Sequence, residues 1–104
     1  MIFCEARPYQ NADSPDVHPV FRGKQHVHLM ASTEAELLSY AQAIGVPIRW
    51  IQRDRGKPPH FDLTGRFMRT VLSDPLVTKL DRPQWVAAWH DLREQLNQAN
   101  RPEQ

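Results

Sequence analysis

Two short segments of the chain carry side chains capable of acid–base or metal chemistry. His60 and Asp62 lie two residues apart, directly after a loop rich in proline and charge. His26 and His28 have the same spacing, which in a β-strand places both imidazoles on one face. An imidazole changes its charge near neutral pH and binds metals, and a carboxylate can orient it or share a metal with it. These four residues are the first candidates for a functional site.

Basic residues crowd the region around His60 and Asp62. Between positions 49 and 69, six basic residues accompany two acidic ones: Arg49, Arg53, Arg55, Lys57, Arg66 and Arg69 against Asp54 and Asp62. Guanidinium groups bind phosphate bidentately, and the amides that open a helix after Thr64 add partial positive charge. The pattern predicts a pocket that binds, and in one version hydrolyses, a nucleotide or another phosphorylated small molecule. The alternative is a solvated loop and helix face.

The residues predicted for this ligand site are His28, Arg49, His60, Asp62 and Arg66. His28 and His60 would donate to a phosphate or act as acid and base, with Asp62 orienting an imidazole. We expect the five side chains to converge beneath residues 8–24, a long segment without periodicity that is predicted to be a loop. The geometric reason is that ligands of open α/β sheets gather beyond the carboxyl ends of strands.

A metal site is the second hypothesis for the same histidines. His26, His28, His60 and Asp62 together offer nitrogen and oxygen ligands for a divalent ion. Both pairs could instead be structural, with a histidine bonded to a backbone carbonyl and Asp62 capping the next helix. Because few acidic residues support the set, we expect no tightly bound metal and no cofactor.

A third hypothesis makes the protein a non-enzymatic interaction module. A chain with few strands needs its sheet edges covered, and forming a homodimer is one way to cover them. Trp85 and Trp89 fall one turn apart on the last predicted helix and would serve the same purpose, or would bind another protein. Their more usual role is in the core.

Composition limits the function classes. The net charge of +1 does not favour nucleic-acid binding over a broad surface. A single cysteine, Cys4, excludes an internal disulfide and a cysteine-based zinc cluster, and its apolar neighbours predict a buried, inert thiol. The sequence has neither a long apolar segment nor a signal-peptide pattern, so we expect no membrane association and a cytoplasmic location. We expect one domain over residues 1–96 and a frayed polar tail over 97–104.

The pattern of elements predicts an α/β fold. Strands are predicted at 2–5, 26–31 and 48–52, and helices at 33–44, 65–73 and 82–96. Thr33 and Glu36 form a capping box for the first helix, and Gly45 ends it. Thr64 and Asp81 are suited to cap the other two. A strand, a helix and a strand in this order usually form a right-handed crossover, which predicts a small, mostly parallel three-stranded sheet.

The order of these segments resembles a known family. A short N-terminal strand, His28-Leu29, a capped helix, Arg49-Trp50 and then His60-Phe61-Asp62-Leu63 is similar to an uncharacterised small bacterial and phage family, domain of unknown function family 4031, over roughly residues 2–72. Its most specific marker is the His-aromatic-Asp-Leu segment. The resemblance implies a prokaryotic or phage domain and supplies no mechanism. The chain differs in having His26 where an aromatic residue is usual, in its long 8–24 loop and in its C-terminal helix.

Overall fold

The computed structural model describes residues 1–10, 24–54 and 56–99. In chain order its elements are β1 (Ile2–Glu5), β2 (Tyr9–Gln10), β3 (Gln25–Ala31), α1 (Glu34–Ile44), a 3-10 helix (Ile48–Trp50), β4 (Phe61–Leu63), α2 (Gly65–Ser73), β5 (Val77–Leu80) and α3 (Arg82–Ala99). The α/β class and the three predicted helices are confirmed. The strands predicted at 2–5 and 26–31 are also confirmed.

The sheet is organised around β3. This strand pairs antiparallel with β1, with the two-residue β2 and with β4. Parallel pairing occurs between β1 and β5, where Ile2 faces Val77 and Glu5 faces Leu80. The sheet is therefore mixed and mostly antiparallel, and the prediction of a mostly parallel three-stranded sheet is wrong. Strand β5 was not predicted, because four residues directly after a proline turn carry too little periodicity to indicate a strand.

The strand predicted at 48–52 is instead a 3-10 helix. Its turns are closed by bonds from the Trp50 amide to the Pro47 carbonyl (3.0 Å) and from the Ile51 amide to the Ile48 carbonyl (3.2 Å). The aromatic and β-branched residues here suit a strand, but that preference is for a half-buried pleated surface. Ile48 and Trp50 are instead 50% and 47% exposed. The strand propensity of this segment is therefore outweighed by its exposed position, and no parallel strand–helix–strand crossover forms.

The chain then turns back on itself beside β3. Gln52 and His60 exchange two backbone hydrogen bonds, from the Gln52 amide to the His60 carbonyl (2.8 Å) and from the His60 amide to the Gln52 carbonyl (3.1 Å). This bridge leads directly into β4, in which Asp62 lies opposite His28 of β3. The two segments singled out in the sequence are thus paired across adjacent strands.

Helix caps explain where the helices begin. Before α1, Thr33 Oγ1 accepts from the Glu36 amide at 3.2 Å. Before α3, Asp81 and Gln84 form a reciprocal box, in which each backbone amide donates to the other side chain at 3.1 and 2.9 Å. Thr64 occupies the corresponding position before α2, but its side chain makes no capping hydrogen bond. The predicted Thr64 cap is therefore wrong in its side-chain role.

The two faces of the sheet are covered differently. The apolar core lies on the face of Val27 and Leu29, where α1 and α2 pack. Helix α3 contacts β1 and β5, and its Trp85 ring lies 5.5 Å from the ring of His28 on the opposite face. Met30 on that second face is buried too. The histidines of β3 therefore lie between the sheet and α3.

The predictions for the 8–24 loop and for the C-terminal tail involve residues that the structure describes only in part. Part of the predicted 8–24 loop is strand β2, and residues 11–23 lie outside the described ranges. Helix α3 extends to Ala99, three residues beyond its predicted end at 96. The division into a domain and a tail stays a prediction. None of the described helices has the length and apolar character needed to cross a membrane.

Candidate functional site

Four of the side chains predicted from the sequence meet on the face covered by α3. His26 and His28 come from β3, Asp62 from β4, and His60 from the bridge that precedes β4. The Nε2 atoms of His26 and His28 lie 3.2 Å apart. Asp62 Oδ1 is 3.5 Å from His28 Nε2 and 3.6 Å from His60 Nε2. We call these four residues the histidine cluster.

Hydrogen bonds behind the cluster fix the orientation of two rings. His60 Nδ1 is 2.9 Å from the Pro58 carbonyl, and His28 Nδ1 is 2.7 Å from Glu5 Oε2. A carbonyl and a carboxylate only accept hydrogen bonds, so in each ring Nδ1 carries the hydrogen. When these imidazoles are neutral, their Nε2 lone pairs therefore face the centre of the cluster.

The carboxylate of Asp62 is held from one side only. Gln52 Nε2 donates to Oδ2 at 2.8 Å. The other oxygen, Oδ1, is buried and makes no hydrogen bond to any residue that the structure describes. A buried carboxylate oxygen without a donor costs about 1–3 kcal/mol or more. Oδ1 and the Nε2 atoms thus form a small, acceptor-rich space that a cation would stabilise.

Burial and nearby charge shift the pKa values of the two histidines of β3 in opposite directions. Burial lowers the pKa of His28, but the hydrogen bond and the negative charge of Glu5 outweigh it, so the net pKa is raised above 6.5. Burial, followed by the nearby charge of His28, lowers the pKa of His26 below 6.5. At neutral pH the His26 ring is therefore the better lone-pair donor.

Glu5 is a member of the site that the sequence did not reveal. One of its oxygens accepts from the His28 backbone amide at 2.8 Å and the other faces the His28 ring. Its position at the end of β1 gave no motif, because its relation to His28 depends on the pairing of β1 with β3. The sequence indicated Trp85 as a helix residue of the core or of an interface, but it did not indicate that the Trp85 ring contacts His28.

Two predicted residues do not join the cluster. Arg49 is exposed on the 3-10 helix, and the guanidinium of Arg66 lies over the ring of Phe67, 5.1 Å from its centroid. Neither arginine makes a hydrogen bond or ion pair with the histidine cluster among the residues described. The reason is that 48–52 is not a strand beside β3, so Arg49 is not aligned with His28. The expected five-residue site is thus reduced to His28, His60 and Asp62.

Two cavities open beside the cluster. One of about 510 Å³ lies between the end of β1, β2 and the start of α3, and one of about 340 Å³ lies between β3 and α3. His28 and Trp85 line both. The basic residues that line these cavities are Arg7 and Arg82 in the first and Lys57 in the second. Positive charge is thus present at the site, but from residues other than Arg49 and Arg66.

Comparison with protein families gives one match. Residues 13–76 of the 104-residue chain match the family described as "Protein of unknown function (DUF4031)". The chain belongs to this family. In this DUF4031 protein the histidine cluster lies entirely inside the matched range, whereas Glu5 and Trp85 lie outside it. Comparisons with curated proteins and with solved structures give no significant match.

Proposed function

We propose that this DUF4031 protein is a metal-binding domain that holds a divalent transition-metal ion on His26, His28 and Asp62. The observation that supports the proposal is their convergence, since one ligand atom from each lies within 4.8 Å of the other two. Two imidazoles and a carboxylate suit zinc and similar ions better than magnesium or calcium, which prefer oxygen ligands. Three protein ligands leave one tetrahedral position open, as in catalytic zinc sites.

Two of the three distances between the proposed ligand atoms are close to those around a bound ion. Nitrogen and oxygen ligands lie about 2.0–2.1 Å from zinc, which places two ligands of a tetrahedral ion roughly 3.3 Å apart. The His26–His28 distance of 3.2 Å and the His28–Asp62 distance of 3.5 Å differ little from this value. The third pair, His26 and Asp62, lies within 4.8 Å, and coordination would require these two side chains to take up the same spacing as the other pairs.

The surrounding hydrogen bonds also fit a metal centre. Metal-ligating histidines usually donate their second ring N–H to a carboxylate or carbonyl, and ligating carboxylates are themselves hydrogen-bonded. Glu5 takes this role for His28, and Gln52 takes it for Asp62. The expectation of no tightly bound ion was based on missing acidic support. Glu5 supplies that support, so the reason for the expectation no longer holds.

His60 has a separate role in this proposal. Its Nε2 approaches Asp62 Oδ1 at 3.6 Å, but it is outside the set of atoms that all lie within 4.8 Å of one another. With its Nδ1 hydrogen directed at Pro58, the ring has a lone pair free to accept a hydrogen bond from a metal-bound water molecule. Such a water molecule is the usual nucleophile of metal-assisted hydrolysis.

Metal analysis tests the proposal directly. The purified protein is stripped with a chelator and then titrated with Zn²⁺ against a chromophoric competitor. We expect one zinc ion per chain and a higher melting temperature in the loaded protein. His26→Gln and Asp62→Asn should weaken binding by more than the roughly 10–100-fold typical of outer-shell substitutions.

His90→Gln is the matched control, because His90 is an exposed histidine of α3 whose ring packs against Trp89. It should bind zinc as the unmodified protein does. Circular dichroism shows whether each variant is folded. The absence of zinc binding, or its retention in folded His26→Gln and Asp62→Asn variants, would contradict the proposal. The cluster would then be a structural one, stabilised by hydrogen bonds and ion pairs.

A further inference from the structure

We infer that the 510 Å³ cavity binds a phosphate monoester attached to a planar ring, with Arg7 and Arg82 on the phosphate. This inference deepens the proposed metal function and rests on it in one respect, because the open position of the ion would take a phosphate oxygen. It also corrects the anion site expected from the sequence. The ligand class is retained, and Arg49 and Arg66 are replaced by two arginines that line the same cavity as His28.

The position of the cavity places a ligand next to the proposed ion. Its lining includes His28 together with residues from the end of β1, from β2 and from the start of α3. Ligand pockets usually have volumes of about 300–1,000 Å³, so this one is large enough for a small organic molecule. His28 belongs to both the cavity and the cluster, whereas His26 and Asp62 are not among the residues that line the cavity, so a bound ligand would reach the ion past the His28 ring.

The two arginines of the cavity wall make no ion pair with any residue that the structure describes. Glu5 uses both carboxylate oxygens on His28, and Asp81 Oδ1 accepts from the Gln84 amide. Arg7 and Arg82 are exposed, and neither has a hydrogen bond or ion pair within residues 1–10, 24–54 and 56–99. Two exposed guanidinium groups in one cavity wall are suited to bind an incoming anion, although the charge of Asp81 in the same wall offsets part of theirs.

A phosphate monoester matches this charge better than a carboxylate does. It carries about −1.5 to −2 charges at neutral pH and has three acceptor oxygens. Two arginines can therefore each bind it while a third oxygen reaches the ion. A carboxylate has one charge and two oxygens, and it would leave one of these groups unsatisfied.

Aromatic rings in the cavity wall favour a planar group on the ligand. The ring of Tyr9 lies 6.3 Å from that of His28, and the ring of Trp85 lies 5.5 Å from it on the side of α3. Tyr9 is 48% exposed, so its ring is accessible to a ligand. Stacking of a nucleobase on such a ring is favourable and does not depend on which base it is, because every base has a π-face.

Calorimetric titration with adenosine 5′-monophosphate tests the inference, with inorganic phosphate and adenosine as separate arms. The zinc-loaded protein should bind the nucleotide at least tenfold more tightly than it binds either part alone. Arg7→Gln and Arg82→Gln should each weaken nucleotide binding roughly tenfold or more, as expected for loss of a charge-assisted contact. The control is Arg93→Gln, because Arg93 lies on the same helix but packs on Trp89. Its nucleotide affinity should be unchanged.

Failure of this inference is distinguishable from failure of the metal proposal, because zinc binding is measured without nucleotide. Zinc binding without nucleotide binding up to ~1 mM would overturn the inference alone. Equal affinities for adenosine and the nucleotide, or full affinity in folded Arg7→Gln and Arg82→Gln variants, would also overturn it. Arginine-dependent nucleotide binding by a protein that takes up no zinc would support the cavity and contradict the metal centre.

Discussion

Glu5 contacts His28 at two points, through the backbone amide at 2.8 Å and through ring Nδ1 at 2.7 Å. The contact connects β1 to β3 beyond the last paired residues of the two strands, Phe3 and Met30. It also fixes which nitrogen of His28 faces the histidine cluster. A single carboxylate thus both joins two strands and orients a candidate ligand.

The first prediction concerns this carboxylate. Glu5→Gln should lower zinc affinity by roughly 10–100-fold, because a neutral amide polarises the imidazole less than a carboxylate does. Competition titration with a chromophoric chelator measures the change. Glu34→Gln is the control, since Glu34 is on the surface of α1, where it forms an exposed ion pair with Arg53 at 2.6 Å. Equal losses in both variants would rule out a specific role for Glu5.

The second prediction compares two threonines at equivalent helix positions. Thr33→Ala removes the side-chain acceptor of the Glu36 amide and should lower the free energy of unfolding by about 1 kcal/mol. Thr64 makes no capping hydrogen bond, so Thr64→Ala should change that energy by less than about 0.5 kcal/mol. Urea denaturation of both variants gives the comparison. A larger effect at Thr64 than at Thr33 would contradict this difference between the two helix caps.

The third prediction concerns the hydrogen bond that joins α1 to the turn after α2. Tyr40 Oη donates to Asp74 Oδ2 at 2.6 Å. This bond is the largest cause of a lowered Asp74 pKa, whereas burial and then the same bond raise the pKa of Tyr40 above 10.0. The stability contributed by Asp74 is thus present above pH 3.8 and lost as the pH falls through its folded pKa. The contribution of the Tyr40 phenol is present below pH 10.0 and lost above it.

Tyr40→Phe removes this bond and its pH dependence. The unmodified protein should be more stable than the variant at neutral pH, and the difference should shrink at both extremes. Denaturant unfolding at a series of pH values measures it. A difference that stays constant from acid to alkaline pH would mean that the variant loses only packing.

The fourth prediction is that Cys4 does not react in the folded protein. Burial, and then the charge of Glu5, raise the pKa of the Cys4 thiol from 9.0 to about 12. A thiol with so high a pKa is almost entirely protonated at pH 8, and the side chain is fully buried. A thiol-reactive dye should label the protein in denaturant but not under native conditions. Comparable rates in the two conditions would contradict the burial of β1.

Helix α1 and strand β3 were predictable because their signals lie within a few neighbouring residues. The Thr33 cap and Gly45, whose φ is 86°, define α1 from neighbouring residues alone. The alternation of Val27 and Leu29 likewise identifies β3. The errors are at 48–52 and at β5, where the outcome depends on which distant strand is available for pairing. Strand preference could not reveal that the chain turns back at Gln52 to place β4 beside β3.

The site was predictable to the same degree. The His-x-His and His-x-Asp spacings identified the histidine cluster, because both belong to short extended segments. Glu5, Arg7 and Arg82 were missed, since each reaches the site only through the pairing of β1 with its neighbours or through the placement of α3. Of the basic residues near 49–69, Lys57 lines the cavity between β3 and α3, but Arg49 and Arg66 make no hydrogen bond or ion pair with the histidine cluster among the residues described. They are close to His60 in sequence, but Arg66 packs on Phe67 instead.

The parallel pairing of β1 with β5 also affects how the protein is made. Ile2 pairs with Val77 in the folded protein, and the hydrogen bond from the Ala6 amide to the Leu80 carbonyl continues the same ladder. Contacts so distant in sequence form slowly, because closing the long intervening loop costs entropy before any pairing repays it. During synthesis β1 leaves the ribosome before its partner β5, which follows only after α2 is complete. Until then one edge of β1 is unpaired, and we expect the nascent chain to be most prone to aggregation in that interval.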